Sequence, residues 1–117
     1  MNNPKEIQQI QSNFKKIIYV DIDLTICHSD FYNILKYSIC TPYPNRIDKI
    51  NKLYDENNYI VYWTARGSLS GIDWTNLTTK QLSKWGCKYH KLILRKPYYD
   101  LFIDDKNINS EEYFKDC

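Results

Sequence analysis

Asp21, Asp23, Thr64, Lys96, Asp104 and Asp105 are the residues of this 117-residue chain whose types and settings point to chemistry. Each follows a short apolar run. Ile17-Ile18-Tyr19-Val20 stops on Asp21, with Asp23 two residues on; "YIVYW" stops on Thr64; "KLIL" leads into Arg95-Lys96-Pro97; "YDLFI" stops on Asp104-Asp105. Four carboxylates gathered at one place repel one another, so without a cation or displaced pKa values such a cluster is destabilising. A divalent ion removes the conflict. Oxygen-only donors favour Mg²⁺, which keeps several waters and needs only a few carboxylates, leaving a position open to a phosphate oxygen.

These residues converge only if the elements before them lie side by side. The four apolar runs read as buried strands. "NRIDKINKLYDENN" places Ile47, Ile50, Leu53 and Tyr54 on one helical face, with Asn45 as a candidate cap and Asn57-Asn58 suited to its end. "TTKQLSKWG" reads as a second helix with a capping-box pattern, Thr78-x-x-Gln81, and Gly86 at its end. "NSEEYFKDC" reads as a short terminal helix that Ser110 can cap, residues 1–14 as a loose tail or short helix, and "LTICHSDFYNILKYSICTPYP" as a loop or hairpin excursion. Strands alternating with helices predict a Rossmann-like α/β fold, one domain over residues 1–117, with a mainly parallel sheet covered on both faces. Parallel strands bring their carboxyl ends to one edge, where such sheets bind ligands.

Other uses of the acids fit poorly. An EF-hand counted from Asp21 would need an oxygen-rich side chain at position 5, Gly at 6 and Glu at 12, where the chain has Thr25, Ile26 and Tyr32. Neither GxxxxGK[ST] nor GxGxxG occurs. Asp30 reads as a solvated loop or capping residue. Arg66, beside Thr64, reads equally as a ligand for a substrate anion or as half of a surface ion pair. His90 reads as structural, and His28 as a residue of the excursion near the site.

The sequence "DIDLT" with Thr64, Lys96-Pro97 and "DD" resembles the haloacid dehalogenase (HAD) superfamily of aspartate-nucleophile phosphohydrolases. The four motifs occur in order, spanning about residues 17 to 106. "YWTARG", "QLSKWG", "KYHKL" and "KPYYDLFIDD" are also similar to small, capless HAD proteins linked to bacterial capsule or surface-sugar synthesis. The resemblance implies that Asp21 is the nucleophile and Asp23 the general acid/base, with a raised pKa supplied by crowded carboxylates. It implies that Thr64 and Lys96 hold the phosphoryl oxygens. Asp104 and Asp105 would bind Mg²⁺ with Asp21 and the backbone carbonyl of Asp23. The segments that carry caps in larger relatives are short here, so the site is expected to be open or closed by a neighbouring subunit of a homo-oligomer. The family usually has Gly where this chain has Leu24, at the tight turn after the second acid.

Composition sets bounds on partners and location. Hydrophobic residues make up 43% and charged residues 26%, ordinary values for a globular domain. A net charge of +2 with dispersed lysines argues against nucleic acid, and no apolar stretch approaches a membrane span. Cys27, Cys40, Cys87 and Cys117 form no CxxC pair and read as reduced thiols of a cytoplasmic protein. The expected activity is Mg²⁺-dependent phosphomonoester hydrolysis through an aspartyl-phosphate, with a small phosphorylated substrate such as a sugar phosphate. The rival readings are a receiver-like phospho-acceptor, disfavoured by the order of the acidic segments, and a catalytically weak phosphate-binding subunit.

Overall fold

The computed structural model describes residues 3–29 and 37–117; Asp30 lies outside the described residues. Helix α1 (Pro4–Asn13) precedes strand β1 (Ile17–Val20). Strands β2 (Cys27–His28) and β3 (Thr41–Pro42) follow, then α2 (Pro44–Asp55), β4 (Tyr59–Trp63), α3 (Thr75–Lys84), β5 (Lys91–Ile93) and the single turn α4 (Ser110–Tyr113). The main sheet has the order β1-β4-β5 and is parallel throughout, with Ile17 opposite Tyr59 and Val61 opposite Lys91. The excursion after β1 is a hairpin, in which Cys27 pairs with Pro42 and His28 with Thr41.

One sheet face makes the core. Val20, Ile60 and Tyr62 pack with Ile22, Ile26, Ile47, Ile50, Leu82 and Phe114, and Ile18 and Leu92 lie against this cluster. Strand side chains alternate, so Tyr19 and Trp63 point to the other face, where their rings meet edge to face at 5.5 Å. Helix α1 covers only part of that face, through Phe14 against Tyr59 and His90. Tyr19 stays 45% exposed, so cover on both faces is incomplete.

Several local expectations are corrected. Of the two readings of residues 1–14, the short helix is the one found: α1 is capped by Asn3, whose side chain accepts the Glu6 N–H. Helix α2 begins at Pro44, not after Asn45, because proline fixes φ and lacks the N–H that the first turn cannot use. Its end is as expected, with Asn57 in the left-handed region (φ 72°). Asn109, not Ser110, caps α4. Thr78 and Gln81 lie inside α3 and are buried, so they form no capping box.

The largest correction concerns "YDLFID". No fourth strand forms; residues 94–109 carry no helix or strand, and Leu101 and Ile103 are 76% and 86% exposed. Arg95 turns the chain at φ 61° directly after β5. The Lys96 N–H donates to the Thr64 carbonyl, and the Ser68 hydroxyl donates to the Lys96 carbonyl. These bonds hold the chain at the end of β4. Both outer strands, β1 and β5, are sheet edges, so the strand is missing because of where the chain runs after Arg95, which periodicity does not carry.

Candidate functional site

Parallel register brings the ends of β1, β4 and β5 to one rim, placing Asp21 and Thr64 immediately past their strands. The ladder extends past the last formal pair. Thr64 N–H donates to Ile93 O at 3.0 Å, and Lys96 N–H donates to Thr64 O at 2.9 Å. Lys96 is thereby fixed beside Thr64 by backbone bonds. Its ammonium lies 5.1 Å from the ring centres of both Trp63 and Tyr99, a setting that attracts a cation electrostatically.

Asp21 is half-buried at this rim. Burial pushes its carboxyl pKa above the ordinary value. The Lys96 charge, the Ile22 N–H and the Thr25 hydroxyl pull it back, while the neighbouring Asp23 charge adds to the rise. The turn that carries it is closed by Thr25 and Ile26 N–H groups donating to the Ile22 carbonyl and by Leu24 N–H donating to Cys27 O at 2.8 Å. Leu24 adopts φ 60°, the left-handed conformation that glycine enters freely and leucine does not. The turn thus has the backbone shape for which a glycine is suited, built here with a leucine.

Asp23 has a different environment from the expected crowd of carboxylates. Its two oxygens accept Nε–H and Nη2–H of Arg66 at 3.0 and 2.8 Å, and Oδ1 also accepts the Ser29 hydroxyl at 2.6 Å. Arg66 is 1% exposed. Its Nη1 donates to Thr78 Oγ1 at 3.1 Å and Gln81 Oε1 at 2.6 Å, and Nη2 also reaches Cys40 Sγ at 3.7 Å. All five guanidinium N–H groups therefore have partners. Tyr37 lies against the guanidinium at 4.6 Å and accepts the Gln81 amide through its backbone carbonyl. Arg66 is neither a surface ion partner nor placed to meet a substrate anion: its fork is filled from within. The apparent capping box in α3 is its receptor. A buried ion pair survives desolvation only with geometry and satisfaction of this kind.

Thr64 is fully buried, and its hydroxyl oxygen accepts the Arg66 N–H at 3.2 Å, so the same residue links the Asp21 rim to the Asp23 clamp. Asp104 and Asp105 are exposed on the irregular segment, and the structure does not gather them with Asp21. His90 is structural as expected: Nδ1 accepts the Ile60 N–H at 3.0 Å, and the ring is stacked between Tyr54 and Tyr59. His28 is exposed in β2.

Among the described residues, the acids, cysteines and histidines come together as a possible ligand set at Asp23, Cys27 and Cys40, with ligand atoms within 4.8 Å of one another. Two sulfurs make this a soft set, unlike the oxygen set Mg²⁺ takes. The pair interacts directly: a Cys27–Cys40 hydrogen bond raises the Cys27 pKa and lowers that of Cys40 to about 7. Sequence reasoning missed Ser29, Cys27, Cys40, Thr78 and Gln81. Only the position of the two cysteines at the ends of the excursion hinted that they meet.

The rim is open. The surface hollows beside α1 (Glu6, Ile10, Phe14, Tyr59, Lys91) and between α2 and the C-terminus (Asp48, Lys52, Tyr113, Asp116) do not include Asp21. No described helix is long and apolar enough to cross a membrane.

No protein-family model matches the chain, and no curated protein matches it. Among solved structures, the chain is similar to a structural-genomics target from Vibrio cholerae determined by crystallography. The TM-score is 0.69 at 23% identity, over 85% of this chain and 87% of that one. At that identity the likeness speaks for the fold alone: a small α/β unit with a three-stranded parallel sheet flanked by helices.

Proposed function

We propose that the protein is a phosphomonoester hydrolase of the HAD type, with Asp21 as nucleophile. The observation that carries this reading is the meeting of Asp21, Thr64 and Lys96 at one carboxyl rim of a parallel sheet. Carboxylate attack on a phosphate dianion opposes like charges. At 4 Å the repulsion is roughly 1 kcal/mol in water and about 4 kcal/mol at an effective dielectric of 20. Lys96 supplies the opposite sign at the rim, and the pull it exerts on Asp21 favours the ionised form that attacks. Asp21 and the Asp23 carbonyl offer oxygen donors of the kind Mg²⁺ takes, whereas Asp104 and Asp105, exposed on the segment after β5, are not gathered with them. Bound there, Mg²⁺ would neutralise charge on the transferring phosphoryl group.

Asp23 divides the two half-reactions. The Arg66 fork and Ser29 hydroxyl direct donors at both oxygens, an arrangement made for a carboxylate. Such a group suits the base that activates water against the aspartyl-phosphate better than the acid that protonates a departing alcohol. Aryl phosphates, whose leaving group needs no proton, are therefore expected to turn over faster than sugar phosphates, although a sugar phosphate is the substrate class suggested by the narrower sequence likeness.

The test is phosphate release from p-nitrophenyl phosphate and a panel of sugar phosphates, with and without Mg²⁺. Mg²⁺-dependent release abolished in Asp21→Asn is expected. No release, or undiminished release by Asp21→Asn, would overturn the proposal. A second reading, a phospho-acceptor that holds its phosphoryl group, applies instead if the Arg66 fork, which occupies both Asp23 oxygens, keeps them from activating water. A phosphorylated chain that persists without turnover would select it.

A further inference from the structure

Cys27 and Cys40 have no part in the proposed hydrolysis, yet they lie against its proton-transfer residue. Cys27 is fully buried at the start of the hairpin, and Cys40 is half-buried just before β3. Their sulfurs lie within 4.8 Å of each other and flank the Ser29 hydroxyl at 3.6 and 3.3 Å. Each also lies 3.8 Å from Asp23 Oδ1. Cys27 faces Pro42 across the hairpin, so Cys40, two residues before Pro42, is its diagonal neighbour on the same face.

We infer that Cys27 and Cys40 are a reversible disulfide pair, closed by a peroxide and opened by a thiol, that acts on the Asp23 clamp. A disulfide has an S–S distance of about 2.05 Å, so closure needs at most about 3 Å of combined sulfur movement. Cys40, the more exposed thiol, attacks the peroxide O–O bond, giving its sulfenic acid and one water. The Cys27 thiol then attacks that sulfur, forming the S–S bond and releasing a second water. The thiols lose two electrons and two protons, and the peroxide is reduced to water. Closure moves Cys40 relative to Arg66 Nη2, which it contacts at 3.7 Å, and disturbs the Ser29 hydroxyl that donates to Asp23.

A metal held by Asp23, Cys27 and Cys40 is the competing use of the cluster. It fits less well. Asp23 Oδ1 already accepts from Ser29 and Arg66, and a cation there would sit against a guanidinium that is fully buried and already paired.

The full chain is treated with hydrogen peroxide, alkylated and mapped by mass spectrometry. The expected product has lost the mass of two hydrogen atoms, joins the Cys27 and Cys40 peptides, and reverts with dithiothreitol. A Cys87→Ser/Cys117→Ser variant, altered away from the cluster, should form the same link. Separate alkylation of Cys27 and Cys40 after peroxide, or links through Cys87 or Cys117 in their place, would overturn the inference. So would retention of added Zn²⁺ that shields both thiols. The effect on the clamp rests on the proposed hydrolysis and is read separately, as p-nitrophenyl phosphate turnover lost on closure and regained on reduction. Link formation without loss of turnover would overturn that part; absence of turnover in the reduced chain would instead count against the hydrolase reading.

Discussion

Arg66→Leu tests whether the Asp23 clamp holds the fold as well as the site. The substitution keeps an apolar stem but leaves the Asp23 carboxylate without its fork, and leaves Thr78 Oγ1 and Gln81 Oε1 without donors. The ion pair is desolvated: the Arg66 side chain is 0% and that of Asp23 10% exposed. Breaking such a pair from one side costs about 3–5 kcal/mol. A chain of this length has roughly 6–18 kcal/mol of stability in total, so the loss is a large share of it. At about 4 °C per kcal/mol, Tm should fall by roughly 12–20 °C. By contrast, Lys88→Met, which removes a pair half-open to water (side chains 50% and 56% exposed), should cost less than about 1 kcal/mol.

Thermal and urea unfolding of Arg66→Leu, Asp23→Asn and the double variant would separate the ion pair from packing. Much of the single-variant loss belongs to the stranded charge, so the double variant should recover a good part of it, with a coupling of about 2 kcal/mol or more. Strictly additive losses, or an Arg66→Leu cost below about 1 kcal/mol, would refute the buried clamp and with it the account of Asp23 as a held carboxylate.

Three further outcomes follow from the turns and charges of the rim. Asp21 has a folded pKa above its unfolded one, so its contribution to stability is full below the unfolded value near 3.8 and is lost as pH rises through the folded value. Asp21→Asn should therefore have a higher Tm than wild type at neutral pH, with the gap closing towards pH 4; a lower Tm at neutral pH would contradict the burial of Asp21. Leu24→Gly removes about 1–2 kcal/mol of left-handed backbone strain and adds about 0.4–1 kcal/mol of unfolded-chain entropy. A net gain of between zero and about 1.6 kcal/mol in urea unfolding is expected, and a clear loss would mean that the leucine side chain packs. Gly67 has φ 86°, and a Cβ there would collide with the Ile72 carbonyl oxygen. Gly67→Ala should then cost more than Gly86→Ala, where a Cβ meets open space and only the backbone penalty of about 1–2 kcal/mol applies. Equal costs in urea unfolding would refute the collision.

The strands that carry Asp21, Thr64 and Lys96 were legible because a buried parallel strand writes itself as an apolar run with a polar stop, and all three formed. The fourth run, "YDLFID", has the same signature and formed no strand. Its local pattern says that it is apolar, and says nothing of where the chain runs once it turns at Arg95. Thr78 and Gln81 show the opposite failure. Their spacing matched a local cap, but a buried guanidinium from another segment used both side chains. Arg66 was undecidable for the same reason, since one sequence position beside Thr64 is compatible with outward and inward directions. Its partners lie 12, 15 and 43 residues away, across the loop before α3 and back past β4, and periodicity within one element does not carry such pairings.

Asp21 and Asp23 stand two residues apart at the end of one strand, and the fold gives them opposite surroundings. Burial opposes the charge of Asp21, with Lys96 as the counterweight; Asp23 is held by a guanidinium that is itself satisfied on every N–H. Tight spacing alone would make two carboxylates repel and share a proton. The left-handed turn at Leu24 and the hairpin that follows bring Ser29 to Asp23, while Arg66 reaches it from beyond β4. In the proposed hydrolysis, a pair arranged in this way would separate a nucleophile from a base by environment, not by sequence. The Arg66 fork, which lies outside the DIDLT segment, is the part of the site on which that separation depends.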